Sequence, residues 1–86
     1  MGCSLRFVPT SPITLDFGRH TLRGMATYLP TGRRVLVEVE SLGGASLTDR
    51  AAAGALASAV RDGRCTVSDE IRAAIDLGAV VAPVLL

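Results

Sequence analysis

Lysine, asparagine, glutamine and tryptophan are absent from this 86-residue chain. Histidine occurs once, cysteine twice, and the aromatic residues are Phe7, Phe17 and Tyr28 alone. Each scarcity excludes something. Cys3 and Cys65 cannot make the disulfide framework on which small secreted domains rely. With His20 as the one imidazole they do not complete a zinc set, so neither a metal nor a cofactor is expected. A base needs an orienting partner and a substrate pocket. No partner is fixed against His20, so the expectation is a chain that is not an enzyme.

The charges exclude further classes. All nine basic residues are arginine, against eight acids, for a net charge of +1. The arginine-only usage and abundant alanine fit a GC-rich coding sequence, so the arginine count is not a binding signal. A near-neutral chain gives nucleic acid or an anionic membrane little to attract. The uncharged C-terminal stretch Leu77–Leu86 is too short to cross a bilayer. No N-terminal run has the length and flanks of a signal peptide. The opening Met1-Gly2-Cys3 departs from the myristoylation pattern at Arg6. Together these point to a cytoplasmic chain with no membrane partner and no nucleic-acid partner.

What is present is apolar: hydrophobic residues make up 49% and charged residues 20%, which rules out disorder by composition. Many of the apolar residues are alanine and bury little area, so a single domain over 1–86 has a thin core that a partner would help cover.

Periodicity divides the chain at about residue 45. Cys3–Val8 is short and apolar, and Thr10-Ser11-Pro12 reads as a turn. Ile13, Leu15 and Phe17 alternate with Thr14 and Asp16, which predicts a half-buried strand ended by Gly18. Thr21–Leu29 fits either a helical face or the first arm of a hairpin. Gly24 costs a helix about 1 kcal/mol, and the reading leans to strand. Arg34–Glu40 is the clearest strand, with Val35, Val37 and Val39 on one face and Arg34, Leu36, Glu38 and Glu40 on the other.

Ser46 followed by Asp49 has the spacing of a capping box, and Ala52, Leu56 and Val60 form a helical stripe to Asp62-Gly63. Thr66 with Asp69 repeats the signal before a second stripe of Val67, Ile71, Ala74 and Ile75. The short connection makes a helix–turn–helix pair. Its second helix carries Asp69, Glu70 and Asp76 against Arg72 alone, which would repel phosphates rather than read DNA. Leu42-Gly43-Gly44-Ala45-Ser46 lacks the Lys-Ser/Thr pair of a P-loop. The apolar end over 79–86 is expected to be docked, on its own core or on another subunit. The predicted class is α+β and winged-helix-like: an N-terminal antiparallel sheet over 1–41 followed by a C-terminal helix pair over 46–78.

The stretch Ser46–Ile75, SLTDRAAAGALASAVRDGRCTVSDEIRAAI, resembles the helical part of the PqqD-like family, the RiPP recognition elements of peptide natural-product pathways. The matching features are Leu47-Thr48, the Ala-containing helix over Ala51–Val60, the Asp62-Gly63 break, and Thr66-Val67-Ser68-Asp69-Glu70-Ile71 opening the second helix. The resemblance covers about 30 of the 86 residues. It departs at Thr48, where the family usually has Asn, and after Gly78, where the family's third helix is missing or reduced to the tail.

The resemblance implies a non-catalytic module that binds the leader part of a precursor peptide by strand addition and delivers it to a modifying enzyme. It makes Arg34–Glu40 the candidate sheet edge. Arg34, Leu36, Glu38, Ile71 and Ile75 are the candidate peptide-binding residues, unless that strand is central. Val80, Val81, Val84 and Leu85 are the candidate partner interface. A second resemblance, of the strand LVEVES and following LTDRAAAG to STAS regulatory domains, implies instead a parallel sheet with a helix at Thr21–Leu29; there Arg50 stands where the family has a phosphorylatable Ser or Thr. A small accessory subunit that stabilises an enzyme complex through its apolar tail is a further alternative.

Overall fold

Alternation of apolar and polar residues builds a sheet that is dry on one face only. In the computed structural model, which describes residues 8–85, β1 (Thr10–Phe17) buries Ile13 and leaves Thr14 and Asp16 in solvent. The chain turns at Gly18 (φ +64) into β2 (His20–Leu29), antiparallel to β1. A turn over 30–33, with Arg33 N–H donating to the Pro30 carbonyl at 3.2 Å, leads to β3 (Arg34–Ser41), antiparallel to β2. Then α1 (Asp49–Asp62) and α2 (Asp69–Asp76) cover one face, and β4 (Val80–Pro83) returns to pair with β3 in parallel. The strand order is β1-β2-β3-β4.

The α+β class is as the sequence predicts, and Thr21–Leu29 falls within a strand. That strand removes the helix that the STAS-like alternative requires. Two local readings are corrected. Thr10-Ser11-Pro12 is the start of β1 rather than a turn, because a sheet margin tolerates a proline whose nitrogen faces away from the neighbouring strand. Both helices also start later than the Ser46 and Thr66 signals suggest. Thr48 caps α1, its hydroxyl accepting from Ala51 N–H at 3.1 Å, and Ser68 caps α2, accepting from Ile71 N–H at 3.4 Å. Asp49 and Asp69 therefore open their helices, where a carboxylate favours the N-terminal dipole, instead of closing a box. Ala45 is buried, and Leu47 and Val67 pack on the core, so the residues just before each helix act as apolar anchors. Cys3–Val8 lies, apart from Val8, outside the described residues.

The apolar end is docked on the chain's own sheet, as a fourth strand. Gly78 (φ +104) ends the turn after α2, and Val80 N–H donates to the Arg33 carbonyl at 3.0 Å. The helix pair is thus the crossover that two parallel strands require.

Ile13, Leu22, Ala26, Val35 and Val37 from the sheet meet Ala52, Leu56, Val60 and Ile71 from the helices in one core. Alanines on α1 let the helix lie close to the strands. Arg72 ties the helices together by donating to the Val60 carbonyl at the end of α1, at 2.7 Å. Ser11 ties α2 to β1 by accepting from Ser68 N–H at 3.1 Å.

Gly24 sits under Leu56. A Cβ there would collide with the Glu38 carbonyl of β3 and lie 3.0 Å from Leu56 Cδ1. The β2–β3 register shifts at Arg23/Gly24, so Glu40 has no partner in β2 and β3 bulges there. Gly54 on α1 has open space around it. We expect Gly24→Ala to lose about 1–3 kcal/mol by overpacking. Gly54→Ala should instead gain about 0.5–1 kcal/mol of helix propensity. Urea unfolding of the two variants checks both signs.

Candidate functional site

Backbone direction decides where a second chain can join a sheet. Tyr28 N–H donates to the Pro9 carbonyl at 2.9 Å, while Thr10 faces Thr27 in register. Antiparallel pairs alternate between bonded and non-bonded. Ser11, Ile13 and Leu15 therefore turn their peptide groups toward β2, and Thr10, Pro12, Thr14 and Asp16 turn theirs outward. On the opposite margin, Val80 and Val84 donate to the carbonyls of Arg33 and Val37, so Pro83 turns its nitrogen outward. Each margin thus carries a proline where an outward N–H donor would stand, a common protection against edge pairing.

The interior strand is less protected. Pairing of β3 with β4 ends at Val37↔Pro83, and the bond from Val84 N–H to the Val37 carbonyl, at 2.8 Å, is the last along that seam among the described residues. Odd-numbered positions of β3 face β4, so Val39 turns its N–H and C=O into the space beyond β4. A cleft of about 250 Å³ opens there. Its floor is Val39 to Leu42. Asp49 and Arg50, in the first turn of α1, and Val84 and Leu85, after β4, also line it. Glu38 and Glu40, both exposed, line it as well. Such a cleft offers one strand's hydrogen bonds, apolar contact from Val39, Leu42, Val84 and Leu85, and an acidic rim.

The residues singled out from the sequence are not brought together. Arg34, Leu36 and Glu38 lie on the sheet face away from the helices, whereas Ile71 is fully buried in the core and Ile75 packs against that core. They do not line one groove, because successive β-strand side chains point to opposite faces and α2 packs on the other face. Nor is Arg34–Glu40 an edge strand: β2 and β4 flank it, and only its C-terminal end is open. Of the five, Glu38 alone lines the cleft. Val81 packs on the core, Val84 and Leu85 border the cleft, and Val80 is 62% exposed. Sequence reasoning missed Ser41, Leu42, Asp49 and Arg50. The β-branched pair Val80-Val81 after Gly78 was the available sign of a fourth strand, and hence of where it stops.

His20 Nδ1 lies 3.1 Å from the Gly43 carbonyl, which only accepts, so that nitrogen carries a proton and ties the start of β2 to the loop after β3. No three His, Cys, Asp or Glu side chains converge among the described residues. No helix there is long and apolar enough to cross a membrane. No family model matches the chain, and no curated protein or solved structure matches it either.

Cys65 is buried after α1 as a free thiol. Burial pushes its pKa up, with Arg64 and Arg72 pulling part of the way back. A thiol with a raised native pKa stabilises the fold fully below its unfolded value of about 8.5, and that contribution fades as pH rises through the folded value. In a Cys3→Ser background, native Cys65 should react with an aromatic disulfide reagent far more slowly than the urea-unfolded chain does. The alkaline loss of stability, followed by denaturation between pH 7 and 10, should be shallower in the further Cys65→Ala variant.

Proposed function

We propose that this chain is a non-catalytic peptide-recognition module. It pairs an extended segment of a partner, in the leading reading the leader part of a precursor peptide, with the open end of β3, and presents it to a modifying enzyme in the cytoplasm. The observation that carries the reading is that β4 stops at Pro83 while β3 runs on to Ser41. Beside the end of β3 one cleft is lined by Val39, Val84, Leu85 and the first turn of α1, and there an extended segment reaches the Val39 peptide groups. Strand addition takes its affinity from main-chain bonds and its selectivity from the neighbouring pockets. The prolines on both margins favour this position over β1 and the outside of β4. The resemblance of Ser46–Ile75 to PqqD-like proteins supports the same class of function, at a place further along β3 than the sequence alone indicates. Val80, exposed at the start of β4 and outside the cleft, is part of the surface offered to the enzyme served.

An interface this short falls at the weak end of protein contacts, with dissociation constants on the order of micromolar or above. Heptapeptides selected from a random display library on the immobilised chain provide the probe. Titrated into the ¹⁵N-labelled chain, a selected peptide should shift the amides of Val39, Leu42, Arg50 and Val84, and Val39 N–H should gain protection from exchange. Shifts confined to Thr10–Asp16 or to the open sheet face, or no enriched peptide at all, would overturn the proposal.

A further inference from the structure

The cleft has a charge of its own, opposite in sign to that of the whole chain. Glu38, Glu40 and Asp49 border it, against Arg50 alone, although the chain carries a net charge of +1. None of these four side chains forms an ion pair among the described residues; the salt bridges there join Asp62 to Arg61 and Arg64, at the far end of α1. The bulge leaves Glu40 without a partner in β2, and Glu38 and Glu40, on either side of Val39 in the chain, both line the cleft. Apolar Val39, Leu42, Val84 and Leu85 line the same cleft.

Resting on the strand-addition reading, we infer that the occupant is a basic, aliphatic segment: an extended stretch with at least one Lys or Arg set against Glu38 and Glu40, beside an aliphatic residue that covers Val39 and Leu42. An acidic segment brings like charges together at three carboxylates. A purely apolar segment leaves those carboxylates partly covered and unpaired, which costs affinity. Only the occupant's cationic groups satisfy the rim while its backbone bonds Val39.

The test uses the full chain and the heptapeptide display selection, run in parallel on the wild type and on Glu38→Gln/Glu40→Gln. Wild-type pools should be enriched in Lys and Arg, and a selected basic peptide should bind the double variant about three- to tenfold more weakly. Its affinity for the wild type should fall as NaCl rises from 50 to 500 mM, as expected of screened charges at a surface. Glu70→Gln on α2, away from the cleft, should leave it unchanged. Pools enriched in other residues whose peptides still shift Val39 would overturn the charge assignment and leave strand addition standing. Pools whose peptides do not shift Val39, or a selection that yields none, would overturn both.

Discussion

The close approach of β2 to β3 at Gly24 is the constraint on which the rest of this structure depends. With no side chain at that position, the Glu38 carbonyl and the end of Leu56 occupy the space a Cβ would fill. Leu56 is fully buried and central to the helix face that covers the sheet. The same point is where the register slips and β3 bulges. One missing methyl group therefore serves the seating of α1, the thickness of the core and the course of β3 toward the cleft.

The core is built accordingly. Alanine contributes little buried area, so the small side chains of α1 work by letting backbones approach rather than by filling space. Polar ties then fix the helix pair: Arg72 on the end of α1, Ser11 on the start of α2, and the two hydroxyl caps. Covering one face only leaves the other to Thr10, Thr27, Leu36 and the charged ends of β3, a mixture that an antiparallel sheet can expose to water.

The cleft follows from a mismatch of lengths. A four-residue strand lies beside an eight-residue one, and the remainder of the longer strand meets the first turn of α1. The prolines at 12 and 83 restrain pairing on the outer margins, which favours the proposed position at the end of β3. The proposed recognition there joins backbone geometry to local charge.

Much of this was legible in the sequence. The alternation at Ile13–Phe17 and Arg34–Glu40 marks half-buried strands, and the alanine stripe with Asp62-Gly63 marks a helix and its end, because period and caps are local properties. Glu38 was legible as a candidate since it stands on the exposed face of the clearest strand. Pairing between distant segments was not legible. Whether Val80–Pro83 lies on the core, on a partner or beside β3 depends on the crossover that α1 and α2 make, and whether Ile71 faces a groove or the core depends on which sheet face the helices choose. The sequence by itself determined the elements and their apolar sides. The tertiary structure alone decided that β3 is interior, that its pairing with β4 ends at Val37, and that Asp49 and Arg50 share a cleft with Glu38 and Glu40, because hydrogen-bond register and chain crossing are set by long-range packing that no local pattern encodes.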